Sequence, residues 1–185
     1  MHWYDKLNEY FPVEEMKSRA HLEALLRERP DVYRVDHGPH HVLLYVEGRD
    51  FVFVDYLLVA TEARGQGLGK KLLDRLKEKG KPILLEVEPQ DYDDSDTVKR
   101  QRFYRREGFR HAERLRYRRR SLATRRVNEL EILVWAPDDG TTDDDVWRHM
   151  TATYEHVHTW RDLDFYGERY QPAAEVLTLE PEARA

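Results

Sequence analysis

Cysteine is missing from all 185 residues. Disulfides, thiol nucleophiles and thiolate metal sites are excluded with it, and the absence suits a reducing compartment. Long apolar runs are missing too. None approaches the roughly 20 residues that carry a helix across a bilayer, so no membrane partner is expected. The chain starts Met1-His2-Trp3-Tyr4-Asp5. It has no basic stretch followed by an apolar one, as a secretory leader would, and a cytoplasmic location is the expectation. Internal repeats and low-complexity segments are absent as well.

What is present can build one domain with an appendage. Hydrophobic residues make up 40% of the chain and charged residues 36%, with four Trp and eleven Tyr adding bulk. The net charge of −5 is unevenly spread. Residues 97–126 hold 13 Lys and Arg against 2 Asp and Glu, whereas residues 137–185 hold 4 against 12. Such asymmetry points either to a partner or to docking of one segment on the other.

Pattern and punctuation predict a helix over residues 13–28, with Pro12 in its first turn and Pro30 just past its end. Three strand-like runs follow, at residues 31–36, 41–47 and 51–59. Gly38-Pro39 and Gly48-Arg49 separate them, which predicts an antiparallel meander. Leu68, Leu72, Leu73 and Leu76 form an apolar stripe at helical spacing, ended by Gly80. A strand over 81–88, a helix over 97–106 and a strand pair at 109–117 and 127–135 come next. Asp143, Asp144 and Asp145 suit the start of a last helix, with Val146, Met150, Tyr154 and Val157 on one stripe.

The sharpest signal is the passage from the apolar run ending at Val59 into the helix that starts near Leu68. Between them runs Arg64-Gly65-Gln66-Gly67-Leu68-Gly69-Lys70. Glycines let the backbone approach an anion closely. The first N–H groups of a helix lack intrahelical partners, and the helix dipole favours negative charge there. Arg64 and Lys70 add positive charge, so the loop reads as a pyrophosphate cradle. A magnesium-binding P-loop would need Ser or Thr where Lys71 stands. A dinucleotide loop would need G-x-G-x-x-G within a parallel βαβ unit.

This loop, the strand segment Leu85-Glu86-Val87 and the run Phe103-Tyr104-Arg105-Arg106-Glu107-Gly108-Phe109 resemble, in that order, the landmarks of the GNAT acetyltransferase family. The likeness covers residues 32–135. It implies an α/β domain over residues 1–136, with a mixed, largely antiparallel central sheet flanked by helices. Residues 137–185 would form a helical appendage packed on the core or on a second copy in a homodimer.

The resemblance also implies acetyl-CoA as cosubstrate, with no metal. Backbone groups of Leu58 and Val59 would pair with its pantetheine arm. The segment Arg64, Gly65, Gln66, Gly67, Leu68, Gly69 and Lys70 would hold the pyrophosphate. A primary amine, carried by a small molecule or a peptide, would attack the thioester directly. Tyr104 stands at the position of the family's general acid, and Glu86 at that of a carboxylate base. Asp55, Tyr56 and Glu88 compete with Glu86 for the base role. The family's frequent Asn and Ala near the second helix are replaced here by the neighbourhoods of Asp96-Thr97 and Arg100.

Two other classes of function stay open on sequence alone. A non-catalytic CoA-binding module would keep the glycine loop without needing Tyr104. An RNA- or DNA-associated protein would use the arginine run at residues 114–126 to neutralise phosphates. The favoured reading of that run is a solvated hairpin tip or a dock for the acidic C-terminal part. Asp91, Asp93, Asp94 and Asp96 form an acidic loop, and His37, His40 and His41 flank a turn. Neither has the ligand spacing of a metal site.

Overall fold

The computed structural model describes residues 1–184. Two helices come first, α1 (Trp3–Tyr10) and α2 (Arg19–Glu28), with a 3-10 turn at Val13–Glu15 between them. The single helix expected over residues 13–28 is therefore divided. Met16 and Ser18 are extended, and the Ser18 hydroxyl accepts from the N–H of His21 to start α2 afresh. Strands β1 (Tyr33–Gly38), β2 (His41–Glu47) and β3 (Val52–Val59) form the antiparallel meander. Then come α3 (Leu68–Lys77), β4 (Ile83–Val87), α4 (Ser95–Arg106), β5 (Arg110–His111), β6 (Leu115–Arg120) and β7 (Val127–Trp135). The last segment carries α5 (Asp143–Thr153), a π-helical turn (Tyr154–His158), α6 (Asp162–Tyr166), α7 (Ala173–Val176) and β8 (Leu177–Leu179).

The strands lie in the order β1-β2-β3-β4-β7-β6-β8, with β5 also paired to β7. The pairing of β3 with β4 is parallel, and the other pairings are antiparallel. This is the mixed, largely antiparallel α/β sheet that the sequence predicts. Alternation along the strands sends side chains to two separate apolar layers. Val52, Val54, Ile83 and Leu85 meet Leu72, Leu73 and Leu76 of α3 and Tyr104 of α4. Phe53 and Leu84 face the other way, onto Leu7, Leu22 and Leu25 of the N-terminal helices and Val146 and Met150 of α5.

Two irregularities shape the middle of the sheet. First, β3 and β4 pair only from Val52–Ile83 to Val54–Leu85. Beyond that point the two strands part, and the rest of β3 has no strand on that edge. Second, Leu44 lies opposite Tyr56 and Tyr45 opposite Val54, so Asp55 is the extra residue of a β-bulge. A bulge bends its strand and re-aims a side chain. Here it sits where the strands begin to diverge.

The C-terminal segment is fastened to the core along the arginine run. Arg110 pairs with Asp143, Arg114 with Asp144 and Glu182, Arg116 with Glu180, and Arg120 and Arg125 with Glu168. Most of the run is thus engaged within the chain. Apolar burial adds more, because Val146, Met150, Val157, Val176 and Leu177 are buried. Strand β8 extends the sheet beyond β6, so this segment contributes a strand as well as helices.

Candidate active site

Where β3 and β4 part, a narrow cleft of about 60 Å³ opens. Asp55 and Tyr56 come to it from β3, and Leu85, Glu86, Val87 and Glu88 from β4 and its end. Arg100 and Tyr104 reach it from α4, Arg119 from β6, and Phe11 and Glu15 from the connection between α1 and α2. The two residues that the family resemblance nominates for catalysis, Tyr104 and Glu86, therefore share one cleft, and so do the competitors Asp55, Tyr56 and Glu88.

Tyr104 is buried against Phe103 and Phe109. Burial pushes its hydroxyl up to about 12, with Arg100 pulling the other way. It therefore keeps its proton at neutral pH, as a general acid must before it acts.

Glu86 stands on the same face of β4 as Leu84, two residues on, which turns it toward the C-terminal segment. Its Oε1 accepts from His158 Nε2 at 2.7 Å, and Arg119 lies 3.6 Å from Oε2. Burial opposes ionisation of Glu86, but His158 and Arg119 outweigh it and hold the carboxyl well below the usual range. His158 is drawn two ways: burial lowers its imidazole, while Glu86 favours the cation. An ionised Glu86 accepting from the Nε2–H of His158 satisfies both, with the permanent charge supplied by Arg119.

A second buried ion pair lies beside the first. The Lys17 ammonium donates to both oxygens of Asp55, at 2.7 and 2.9 Å, and the Tyr33 hydroxyl donates to Oδ2. Both members of the pair are almost wholly buried. The Tyr56 hydroxyl accepts from the N–H of Lys17 and donates to the carbonyl of Glu15, each at 2.8 Å. The Ser121 hydroxyl donates to the carbonyl of Glu14 at 2.8 Å. The 3-10 turn that carries Glu15 is thereby pinned to β3 and to the β6–β7 loop.

The expected cofactor residues lie at the end of β3 and in the loop that follows it. Leu58 and Val59 end β3, and with Arg64 they line a pocket of about 350 Å³ beside Lys6 and Tyr10 of α1. Gly65 and Gly67 both have φ of +77°, a conformation that favours glycine, and a Cβ at either would meet nothing within 4 Å. Gly67 caps α3 without any side-chain hydrogen bond to the first turn. The space and the uncapped N–H groups suit a pyrophosphate. At Gly69 the constraint is packing, because a Cβ would come within 3.1 Å of Phe103. Arg64 lies over the Tyr10 ring and donates from Nε to the carbonyl of Val59. Lys70 is paired with Asp74 at 2.7 Å, and Gln66 donates to the carbonyl of Glu62. Among the described residues no group of three or more His, Cys, Asp or Glu is arranged to hold a metal, and no helix is long and apolar enough to cross a membrane.

Comparison with known proteins identifies the fold and the family. A sequence profile described as "Acetyltransferase (GNAT) domain" matches residues 32–111. "Putative acetyltransferase YjbC" of Bacillus subtilis (strain 168) is 56% identical over 184 residues, spanning 100% of this chain and 95% of that protein. Among solved structures, "Putative acetyltransferase from GNAT family from Bacteroides thetaiotaomicron" superposes with a TM-score of 0.66 at 25% identity, over 82% of this chain and 88% of that one. Arabidopsis thaliana Naa50, in complex with the bisubstrate analogue CoA-Ac-MVNAL, shares the fold at a TM-score of 0.50 and 15% identity, over 70% of this chain and 87% of that one. The chain belongs to the GNAT acetyltransferase family.

Four residues that line the cleft or pair with its acids escape the sequence reading. Glu15 looks like an ordinary acidic residue in the first turn of a helix. Arg119 is hidden in a run of similar arginines, and Lys17 in a polar stretch. His158 lies in a segment read as an appendage. Glu86 and Asp55, charges within apolar strands, signal that buried partners must exist.

Proposed function

We propose that the protein transfers acetyl from acetyl-CoA to a primary amine on a small molecule or peptide, by direct attack of the amine on the thioester, in the cytoplasm. The observation that supports this best is the parting of β3 from β4 beyond Val54 and Leu85, which opens the titratable cleft and leaves the end of β3, just before the glycine loop, with a free edge. Acetyl-CoA supplies an acyl group activated as a thioester.

The chain's own residues do the rest. The open edge of β3 near Leu58 and Val59 offers backbone groups to the pantetheine arm. The uncapped first turn of α3, from Gly65 to Lys70, receives the pyrophosphate. Tyr104 holds a proton for the departing sulfur. Glu86 is an ionised carboxylate in a site with little water, and it favours an incoming ammonium electrostatically.

The reading is tested by isothermal titration with acetyl-CoA, on the parent and on Gly67→Glu, followed by turnover on a panel of amines. Binding lost in the variant and acetylation of at least one amine by the parent would support it. Binding without turnover on any amine would favour a non-catalytic CoA-binding module.

A further inference from the structure

Acetyl transfer leaves one duty unassigned: a group must take a proton from the ammonium before its nitrogen can attack. Glu86 is poorly suited, because His158 and Arg119 hold it ionised, and a carboxylate that binds protons so weakly accepts them poorly. Asp55 is locked by Lys17 and Tyr33 in the same way. The remaining acids of the cleft are Glu15 and Glu88, which enter from opposite walls.

We infer, on the basis of the acetyl-transfer reading, that Glu15 is the proton acceptor for the amine, and that Glu15 and Glu88 together form the binding site for a cationic primary ammonium group.

The placement of Glu15 is specific. Hydrogen bonds from Tyr56 and Ser121 fix the backbone of its turn. On the opposite wall, Gln101 Nε2 donates to the carbonyl of Glu88 at 2.8 Å and to Glu131 Oε2 at 2.9 Å. Both side chains line the same narrow cleft. Glu15 Oε1 is shut off from solvent and faces no donor on the protein. Two acceptors thus confront each other. A shared proton or a cationic donor between them satisfies both, and a buried acceptor left without either is costly.

The surroundings tune the pair. Burial and the neighbouring Glu88 push Glu15 up to about 7, against the opposing pull of Arg100 and Arg119. The charged and titratable groups around it are Glu88 and Glu86 from the β4 side, Arg100 and Tyr104 from α4, Arg119 from β6, and Asp55 and Tyr56 from β3. A carboxyl poised near neutrality combines a useful ionised fraction with real proton affinity.

The protons balance. Ionised Glu15 takes one proton from the ammonium. The freed lone pair forms the C–N bond as the C–S bond breaks. Tyr104 gives its proton to the departing sulfur and regains one from the new amide nitrogen. Glu15 then returns its proton to water through the mouth of the cleft.

The test has two parts. Carboxyl carbon-13 NMR titration of the protein alone should show one carboxyl titrating near 7. That signal should vanish in Glu15→Gln and move to lower pH in Glu88→Gln. The second part is the pH profile of kcat/KM on an amine that the parent acetylates. The parent should rise through pH 7 to a plateau. Glu15→Gln should fall about 100-fold at pH 7 and climb with the free-amine fraction alone. Glu88→Gln, which keeps the acceptor, should shift the limb to lower pH. A carboxyl titrating in the ordinary range, or an unaltered profile in Glu15→Gln, would overturn the inference while acetyl transfer stands. Absence of turnover by the parent on every amine would instead overturn the acetyl-transfer reading, and the inference with it.

Discussion

The Nε2–H of His158 donates to Oε1 of Glu86 at 2.7 Å, joining residues 72 positions apart. One end of this bond is a carboxylate on the central strand β4. The other is the close of the π-helical turn that follows α5. The bond ties the C-terminal segment to a residue that lines the cleft. Removing His158 would take the donor from Oε1 of Glu86 and leave the buried carboxylate to the charges of Arg119 and Lys17. His158→Ala should cost about 3 kcal/mol at pH 7, as breaking one side of a buried pair does, read by urea denaturation. Glu86 is depressed in the folded state, so its contribution is fully present above the ordinary value of 4.5 and is lost as pH falls through the folded one. The gap between parent and variant should therefore narrow below pH 4.5.

Glu15 behaves in the opposite sense. Its folded value is raised from 4.5 to about 7, so the folded state binds the proton more tightly than the unfolded one. Its contribution favours folding below pH 4.5 and declines until pH passes 7. Glu15→Gln should match the parent at pH 4 and exceed it by about 3 kcal/mol at pH 8, as calorimetric melting at the two pH values would show.

The Lys17–Asp55 pair predicts non-additivity. Lys17→Met alone leaves a buried carboxylate facing only Tyr33 and should cost about 3 kcal/mol. Adding Asp55→Asn removes that charge and keeps an acceptor for the Tyr33 hydroxyl. The double variant should recover at least half of the loss in a denaturation cycle.

Tyr104→Phe should lower kcat by about 100-fold while leaving acetyl-CoA binding within twofold, the signature of a lost proton donor. Single-turnover kinetics beside calorimetric titration separates the two effects.

At the glycine loop, side-chain volume and backbone strain part company. A Cβ at Gly67 meets open space but requires φ of +77°, so Gly67→Ala should cost about 1 kcal/mol of stability. Gly67→Glu brings a negative charge to the turn expected to hold phosphates and should weaken acetyl-CoA binding at least tenfold. Both are read by melting and titration on the same preparations.

Much of the fold is legible in the sequence because its signals are local. The apolar stripe at Leu68, Leu72, Leu73 and Leu76 and the breakers at Gly38 and Gly48 act over a few residues, and the elements they predict are present. Helix α1 was not foreseen, since its buried face rests on only Trp3 and Leu7. The candidate site divides along the same line. Tyr104 and Glu86 are found by their place in ordered motifs. Glu15, Lys17 and His158 matter through contacts that span the chain, and nothing within a few residues of any of them announces it. Asp55 falls between the two, since a charge in an apolar strand is visible while the bulge that aims it is not.

The arginine clasp on the acidic C-terminal segment bears on Glu86 as well. The matched profile stops at residue 111, short of Arg119 and of His158. The machinery expected to grip the cosubstrate lies before that boundary, and half of what surrounds Glu86 lies after it. The clasp and two neighbours of Glu86 therefore belong to one length of chain, so a change that loosens the clasp reaches a buried carboxylate on the central strand.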